Sequence, residues 1–538
     1  MANRDFTVIS PGRRARRRLP LSVLLVALVA LAAAAVVATT TGSGSTTTSP
    51  PIKPPPGATV LTVTNTPRAR PIPPGFLGLS LEYNAVPAYT GGDPNDLNPV
   101  FEQLVRNLSP GQPPALRIGG DTSDWTWWPV PGVPQPHGIR YMLSDGWLTS
   151  TRAFARAVGA RLLLGINLEA ITPQLAAIES RKLVDGLGRN SIAALELGNE
   201  PELYPIFALW HTASGAKVLG RPKGYSFTDF LHDYSTAARG LAHAPLAGPT
   251  IGTPDWMRRL GRFLAAEKVG IVTLHRYPLQ RCFVQRSSSI FPTIAHLMSE
   301  TDSRGLANSV AHYAALAHAR GLPLRIDEIN TVSCGGAPGV SDTFAAALWA
   351  IDTAFEMARV GVDGINIHTF PGATYELFTF SHAGGVWSAH VQPEYYGMLM
   401  FAQAAPPGSQ LMRIVGPQLA ATKVWATRAS DSRVRVALIN KGGVSQLIAL
   451  RAPSSGSATL ERLTAPGIGA KGGVTLGGQS FGSSTSTGLL AGGSPGAAPT
   501  TPGAAPTTPG SALKPADGYY VVRLPAASAA LLTFPPGS

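Results

Sequence analysis

Ser191-Ile-Ala-Ala-Leu-Glu-Leu-Gly-Asn-Glu-Pro-Glu-Leu-Tyr204 begins as a short apolar run and stops abruptly at Gly198-Asn199-Glu200-Pro201. A buried strand that ends at a Pro-containing turn leaves its last side chains at the rim of a sheet. Two side chains of opposite hydrogen-bonding character occupy that rim, the amide of Asn199 and the carboxyl of Glu200. Seven other short β-rich apolar runs share the pattern, most of them closing on polar or Gly residues. They are Phe76–Asn84, Ala115–Asp121, Arg161–Glu169, Leu246–Gly252, Gly270–Pro278, Leu322–Asn330 and Val362–Phe370. Helical patterns separate them, at Phe101–Leu108, Trp147–Val158, Gln174–Leu187, Phe230–Ala242, Trp256–Ala266, Ile294–Arg320 and Asp342–Arg359. Strict alternation argues for parallel strands with helical crossovers, and eight units match a (β/α)₈ barrel, an α/β fold. A doubly wound open sheet is the competing topology. It usually places a Gly-rich phosphate loop after its first strand, and Phe76-Leu-Gly-Leu-Ser-Leu-Glu82 supplies none.

After Phe370 the pattern changes to short alternating strands over residues 410–465, with two more at Gly518–Leu524 and Ala529–Phe534. These predict a small C-terminal β-sandwich, joined by an N-terminal strand near Ala58–Asn65. Between them, about 466–516, Gly, Ser, Ala, Thr and Pro dominate, and a Pro-Gly-Ala-Ala-Pro-Thr-Thr repeat starts at Pro495. Such composition buries little apolar surface and predicts disorder. The expected organisation is therefore an export segment over 1–39, a linker over 40–57, a strand of the sandwich over 58–75, the barrel over 76–404 and the sandwich over 405–538.

The export segment rests on Arg13, Arg14, Arg16, Arg17 and Arg18 ahead of an apolar run from Leu19 to Ala38. A basic flank, an apolar core and small residues beyond it describe a signal peptide. The run is also long enough to be an uncleaved membrane anchor, and in both cases the body lies outside. The expected location is thus secreted or anchored at the outer face of the membrane. Of the formal charge of +13, residues 1–20 contribute +5 through six arginines and one aspartate. A mildly basic body is compatible with an acidic carbohydrate. No stretch resembles a nucleic-acid motif, and no metal or organic cofactor is implied. The two cysteines, Cys282 and Cys334, fall just beyond strand ends; in an exported chain they read as a disulfide, against the alternative of two unpaired small residues.

In a β/α barrel the chemistry collects where strands end. The polar residues there are Glu82, Asp121, Asn199, Glu200, His275, Tyr277, Glu328, Asn330 and His368. Strand parity puts Glu328 in the mouth with Ile326 and Asn330, and predicts that Asp327 faces the helices. The same parity aligns Glu196 with Glu200, deeper in the barrel, where it can pair with Arg117. Glu200 and Glu328 are the two carboxyl groups that retaining cleavage of a glycosidic bond requires, one as acid/base and one as nucleophile. Trp125, Trp127 and Trp128 are either core aromatics or a sugar-stacking surface.

Leu197-Gly-Asn-Glu-Pro201, Asp327-Glu-Ile-Asn330 and Ser333-Cys-Gly-Gly336 together resemble glycoside hydrolase family 79, the β-glucuronidases and heparanase-like enzymes of the retaining barrel clan. The resemblance runs from about residue 58 to the C-terminus and implies an exo-acting β-glucuronidase, with an endo-acting enzyme on acidic polysaccharide as the alternative. A non-catalytic polysaccharide-binding protein is a third possibility of a different kind. By position, the resemblance makes Glu200 the acid/base and Glu328 the nucleophile, with Tyr277 hydrogen-bonded to the nucleophile. It makes Glu82 and Asp121 ligands of ring hydroxyls; Asn199, a neutral amide beside Glu200, suits contact with the sugar 2-hydroxyl. Ser333, Cys334 and Gly335, with Tyr375, fall on the side of the uronate carboxylate, and His368 is a sugar contact. The family often carries Tyr where this chain has Ser333.

Overall fold

The computed structural model describes residues 53–492 and 510–536. The expected export segment lies outside them, as do most of the linker and the Pro/Thr repeat. Among the described residues no helix is long and apolar enough to cross a membrane.

The first strand, β1 (Thr59–Pro67), belongs to the C-terminal domain. The next eight close a parallel barrel in chain order: β2 (Leu77–Glu82), β3 (Ala115–Gly119), β4 (Arg161–Ile166), β5 (Ile192–Leu197), β6 (Leu246–Ile251), β7 (Ile271–Arg276), β8 (Leu324–Ile329) and β9 (Gly364–Thr369). Closure comes from β9 pairing with β2, where Ile365 lies opposite Leu77. Every residue of β2 and of β9 is buried, as strands covered by helices on one side and a filled barrel on the other must be. The helices start at caps written in the sequence. Asn98 Oδ1 accepts from the Val100 and Phe101 N–H groups at the start of α1 (Pro99–Leu108), and Ser226 with Asp229 forms a capping box on Phe227–Ala238.

The sheet domain is one ten-stranded, mostly antiparallel sheet. Its strands after the barrel are β10 (Gln410–Val415), β11 (Thr422–Arg428), β12 (Val434–Asn440), β13 (Gln446–Arg451), β14 (Ala458–Thr464), β15 (Thr475–Leu476), β16 (Ser511–Leu513), β17 (Tyr520–Leu524) and β18 (Ser528–Thr533). β1 sits inside it, antiparallel to β10 and parallel to β13. Period-two alternation sorts its residues: Val436 and Leu438 enter the sheet's own core, while Ala437 and Ile439 join the core shared with the barrel. The helix Phe344–Arg359 lies at that shared core and is buried on nearly every side, which explains a mostly apolar sequence whose buried carboxylates, Asp352 and Glu356, meet lysines of the sheet domain.

Two expectations are corrected. The pattern at Ile294–Arg320 is not one helix. It divides into Ile294–Leu297, a wide π-type turn at Thr301–Gly305 and Leu306–His318. Ser303, in the wide turn, accepts a hydrogen bond from Lys441 of the sheet domain at 3.2 Å. The tract expected to be disordered over about 466–516 is folded across residues 466–492, and β16 extends order to 511–513. Val474, Leu476, Phe481 and Leu490 are buried, and Phe481 packs on Tyr395 and Tyr396. Thr485 exchanges two backbone hydrogen bonds with Ala389, at 2.8 and 2.9 Å. Four apolar side chains suffice to anchor a loop whose average composition hides them.

Candidate active site

The mouth of the barrel is organised around a fully buried cation. Arg117, in β3, donates to Glu196 Oε2 at 2.8 Å, to Glu328 Oε2 at 2.7 Å, to Asn199 Oδ1 at 2.9 Å and to Ser80 Oγ at 3.1 Å. The expected Arg117–Glu196 pair is therefore present, but it is one arm of a hub joining β2, β3, β5 and β8. A charge inside an apolar strand has to find partners, and that is the signal by which the sequence could have exposed the hub.

Parity fails at Asp327. Pairing along β7 and β8 runs Leu274 with Ile326 and then His275 with Glu328, so β8 carries one extra residue. The bulge turns Asp327 inward instead of toward the helices. Its Oδ2 lies 3.1 Å from Arg117 Nε, and Asp327 and Glu328 both enter the barrel. Burial and the neighbouring Glu196 push the Asp327 pKa well above the usual carboxylate range. For Glu196, burial raises the pKa but Arg117, Asp327 and His275 together outweigh it, and the balance falls below the usual value. Asp327 is thus held toward its neutral form beside an ionised Glu196.

Glu328 also accepts from Tyr277 Oη at 2.9 Å. Burial works against its charge, yet His368, His275 and Arg117 together hold its pKa well below the ordinary range. Glu200 stands opposite, at the end of β5. Its φ of 46° is left-handed, its N–H donates to the Thr250 carbonyl at 3.0 Å, and Thr250 is itself left-handed. Two non-glycine residues in that region, locked by one hydrogen bond, mark a backbone shaped for something other than stability. His275 ties the two carboxyl groups together: its Nδ1 is 3.1 Å from Glu200 Oε1 and 3.9 Å from Glu328 Oε2. Burial lowers the His275 pKa, but Glu328, Asp327 and the hydrogen bond to Glu200 outweigh it and raise it to about 10. The sequence places His275 at a strand end and assigns it no task.

The remaining residues surround this centre. His368 contacts Glu82 Oε1 at 3.2 Å through Nε2 and Ser80 Oγ at 3.1 Å through Nδ1. Glu82 accepts the Thr122 N–H at 2.9 Å; Gly120 is required beside it, since a Cβ there would lie 2.2 Å from Glu82 Oε1. Asn199 donates to Asp121 Oδ1 at 3.2 Å. Asp121 is open to solvent in the mouth, but its depth and the charges of Glu82, Glu328 and Glu200 push its pKa up to about 8. Tyr375 is buried, with its ring 6.4 Å from that of Tyr277. Ser333, Cys334 and Gly335 lie on the loop after β8. Cys334, Gly335 and Gly336 all have positive φ, and the Gly335 carbonyl accepts from Thr374 N–H at 2.7 Å, next to Tyr375. Cys282 and Cys334 are disulfide-bonded, with a Cα separation of 6.2 Å. Asp124, unremarked in the sequence, accepts from the backbone N–H of Leu168, Glu169 and Asn199 and from Tyr204 Oη, and so anchors two rim loops. Trp127 is core, Trp128 packs against it beneath Lys182, and Trp125 lies beneath Arg140 at 3.9 Å.

Residues 424–531 match the model of the glycosyl hydrolase family 79 C-terminal beta domain. The chain is 24% identical to a β-glucuronidase of Aspergillus niger over 471 residues, covering 77% of this chain and 84% of that one. It is 25% identical to the heparanase of Mus musculus over 320 residues, covering 56% and 55%. Among solved structures it superposes on a 4-O-α-L-rhamnosyl-β-D-glucuronidase from Fusarium oxysporum with a TM-score of 0.65 at 19% identity, covering 88% of this chain and all of that one. A family 51 arabinofuranosidase from Xanthomonas axonopodis gives 0.60 at 15%, covering 89% and 99%. A closed barrel with a sheet domain and a mouth lined by carboxylates defines a glycoside hydrolase. Within that class, the chain is similar to members of glycoside hydrolase family 79 and matches that family's C-terminal domain over residues 424–531.

Proposed function

We propose that the protein is an exported, retaining exo-β-glucuronidase that releases terminal glucuronic acid by double displacement. One observation carries the mechanism: a single atom, His275 Nδ1, lies 3.1 Å from Glu200 Oε1 and 3.9 Å from Glu328 Oε2, so those two oxygens are separated by no more than the sum of the two distances. That span accommodates the roughly 5–5.5 Å of a retaining pair. Glu328, kept ionised by Arg117, the two histidines and Tyr277, attacks the anomeric carbon. Glu200 protonates the leaving oxygen, then takes a proton from the water that hydrolyses the glycosyl-enzyme. Asn199, Glu82, Asp121 and His368 face the sugar hydroxyls. Tyr375 and the backbone N–H groups of Ser333–Gly335 receive the uronate carboxylate. The β-glucuronidase relatives support the choice of sugar. The arginine-flanked apolar segment and the disulfide are in keeping with delivery to an oxidising compartment.

Glu328→Gln, assayed on an aryl β-glucuronide, is expected to lose activity by on the order of 10⁴-fold or more, the scale of removing a nucleophile. Near-wild-type turnover refutes the assignment. The heparanase relatives favour a second reading, endo cleavage of an acidic polysaccharide. Product sizes separate the two, monomers for exo and oligomers for endo.

A further inference from the structure

Most large apolar side chains exposed among the described residues lie on loops leaving the C-terminal ends of the barrel strands. The densest group lies on the two loops that leave β5, just after Glu200, and β7, just after His275. Ile206 and Phe207, 57% and 42% exposed, follow Glu200 on the loop after β5, and Phe283 and Ile290, 59% and 40% exposed, lie on the loop after β7. The rings of Phe207 and Phe283 meet across the gap at 5.3 Å between centroids. Both supports are braced. The Phe207 loop is held by a His137–Trp210 stack at 4.5 Å and by Arg140 donating to the Leu209 carbonyl at 3.0 Å. Phe283 adjoins Cys282, whose disulfide ties its loop to that of Cys334. Rigid aromatic surface left in water at a site mouth is surface awaiting a ligand.

We propose that Phe207 and Phe283, flanked by Ile206 and Ile290, form the leaving-group platform of the enzyme and select glucuronides of flat, apolar aglycones over those of a second sugar. The inference rests on Glu200 being the acid/base, because the group that protonates the leaving oxygen fixes where the aglycone lies. The platform continues the chain from Glu200 on one side and from Tyr277 on the other. Phe and Ile offer no hydrogen-bonding atoms to fix the hydroxyl groups of a second sugar, whereas a flat aromatic aglycone needs only the apolar surface they present.

The test measures kcat/KM of the full chain, wild type against Phe207→Ala, Phe283→Ala and the double variant. The substrates are methyl β-glucuronide, 4-methylumbelliferyl β-glucuronide and a β-glucuronosyl disaccharide. The double variant is expected to lose about tenfold or more on the umbelliferyl substrate, through KM, and to stay within about twofold on the other two. Phe207→Trp is expected to retain the aryl preference. Equal losses on all three substrates, no loss on the aryl substrate, or a larger loss on the disaccharide overturns the platform. The methyl and umbelliferyl β-glucosides are run alongside. Turnover of glucosides alone removes the uronate assignment and leaves the aryl-against-methyl comparison to decide the platform. Turnover of neither series overturns both.

Discussion

At the scale of the residue, charge balance decides which side chains can do chemistry. Glu328 is almost wholly buried and its pKa still lies below the usual range, because Arg117 and Tyr277 donate to it and the rings of His275 and His368 stand within 4.0 Å. His275 is the adjustable member. Its pKa rises on folding to about 10. A raised folded-state pKa means that its contribution to stability is fully present below the unfolded value of about 6.5 and is lost as pH climbs toward 10. Thermal stability is therefore expected to fall between about pH 7 and pH 10, and His275→Gln to flatten that slope. A melting series showing the same slope in the variant would rule His275 out as its source.

At the scale of the element, one inserted residue in β8 changes the character of the site. Without the bulge Asp327 would face the helices; with it, a carboxyl group held toward its neutral form lies beneath the mouth beside Glu196. Asp327→Asn keeps a donor and is expected to cost no more than about 1 kcal/mol, whereas Asp327→Ala strands Glu196 and Arg117 and is expected to cost about 2–4 kcal/mol. Urea unfolding measures both; an Asn variant as damaged as the Ala variant would show that the proton is not where we place it. Register is what the sequence could not convey. Period two predicts a direction for every strand residue only while pairing stays in step, and the slip depends on two neighbouring strands at once. The strands themselves, their order and their polar ends were legible, because parallel buried strands are continuous apolar runs.

At the scale of the whole molecule, the barrel and the sheet are joined through a buried ionic cluster. Lys441 Nζ, nearly inaccessible, donates to Asp352 at 2.8 Å, and Lys423 Nζ to Glu356 at 2.9 Å. Burial raises the Asp352 pKa, but the two lysines outweigh it and keep it below the usual value. Lys441→Met leaves that carboxylate without its nearest cation and is expected to destabilise the protein by about 3 kcal/mol in urea unfolding. An unchanged midpoint would mean that apolar packing around Trp425 and Phe355 suffices to hold the domains.

The chain's own order of residues determined the alternation of eight apolar runs with helices, the polar residues that end them and the two glutamates of the mouth, because these follow from local periodicity and from where a run must stop. Tertiary structure alone decided the Arg117 hub, the inward turn of Asp327, the role of His275 between two carboxyl groups and the ordering of residues 466–492. Each of these arises from contacts between segments far apart in the chain, where a charge or a bare apolar side chain is satisfied only by what another strand brings to it.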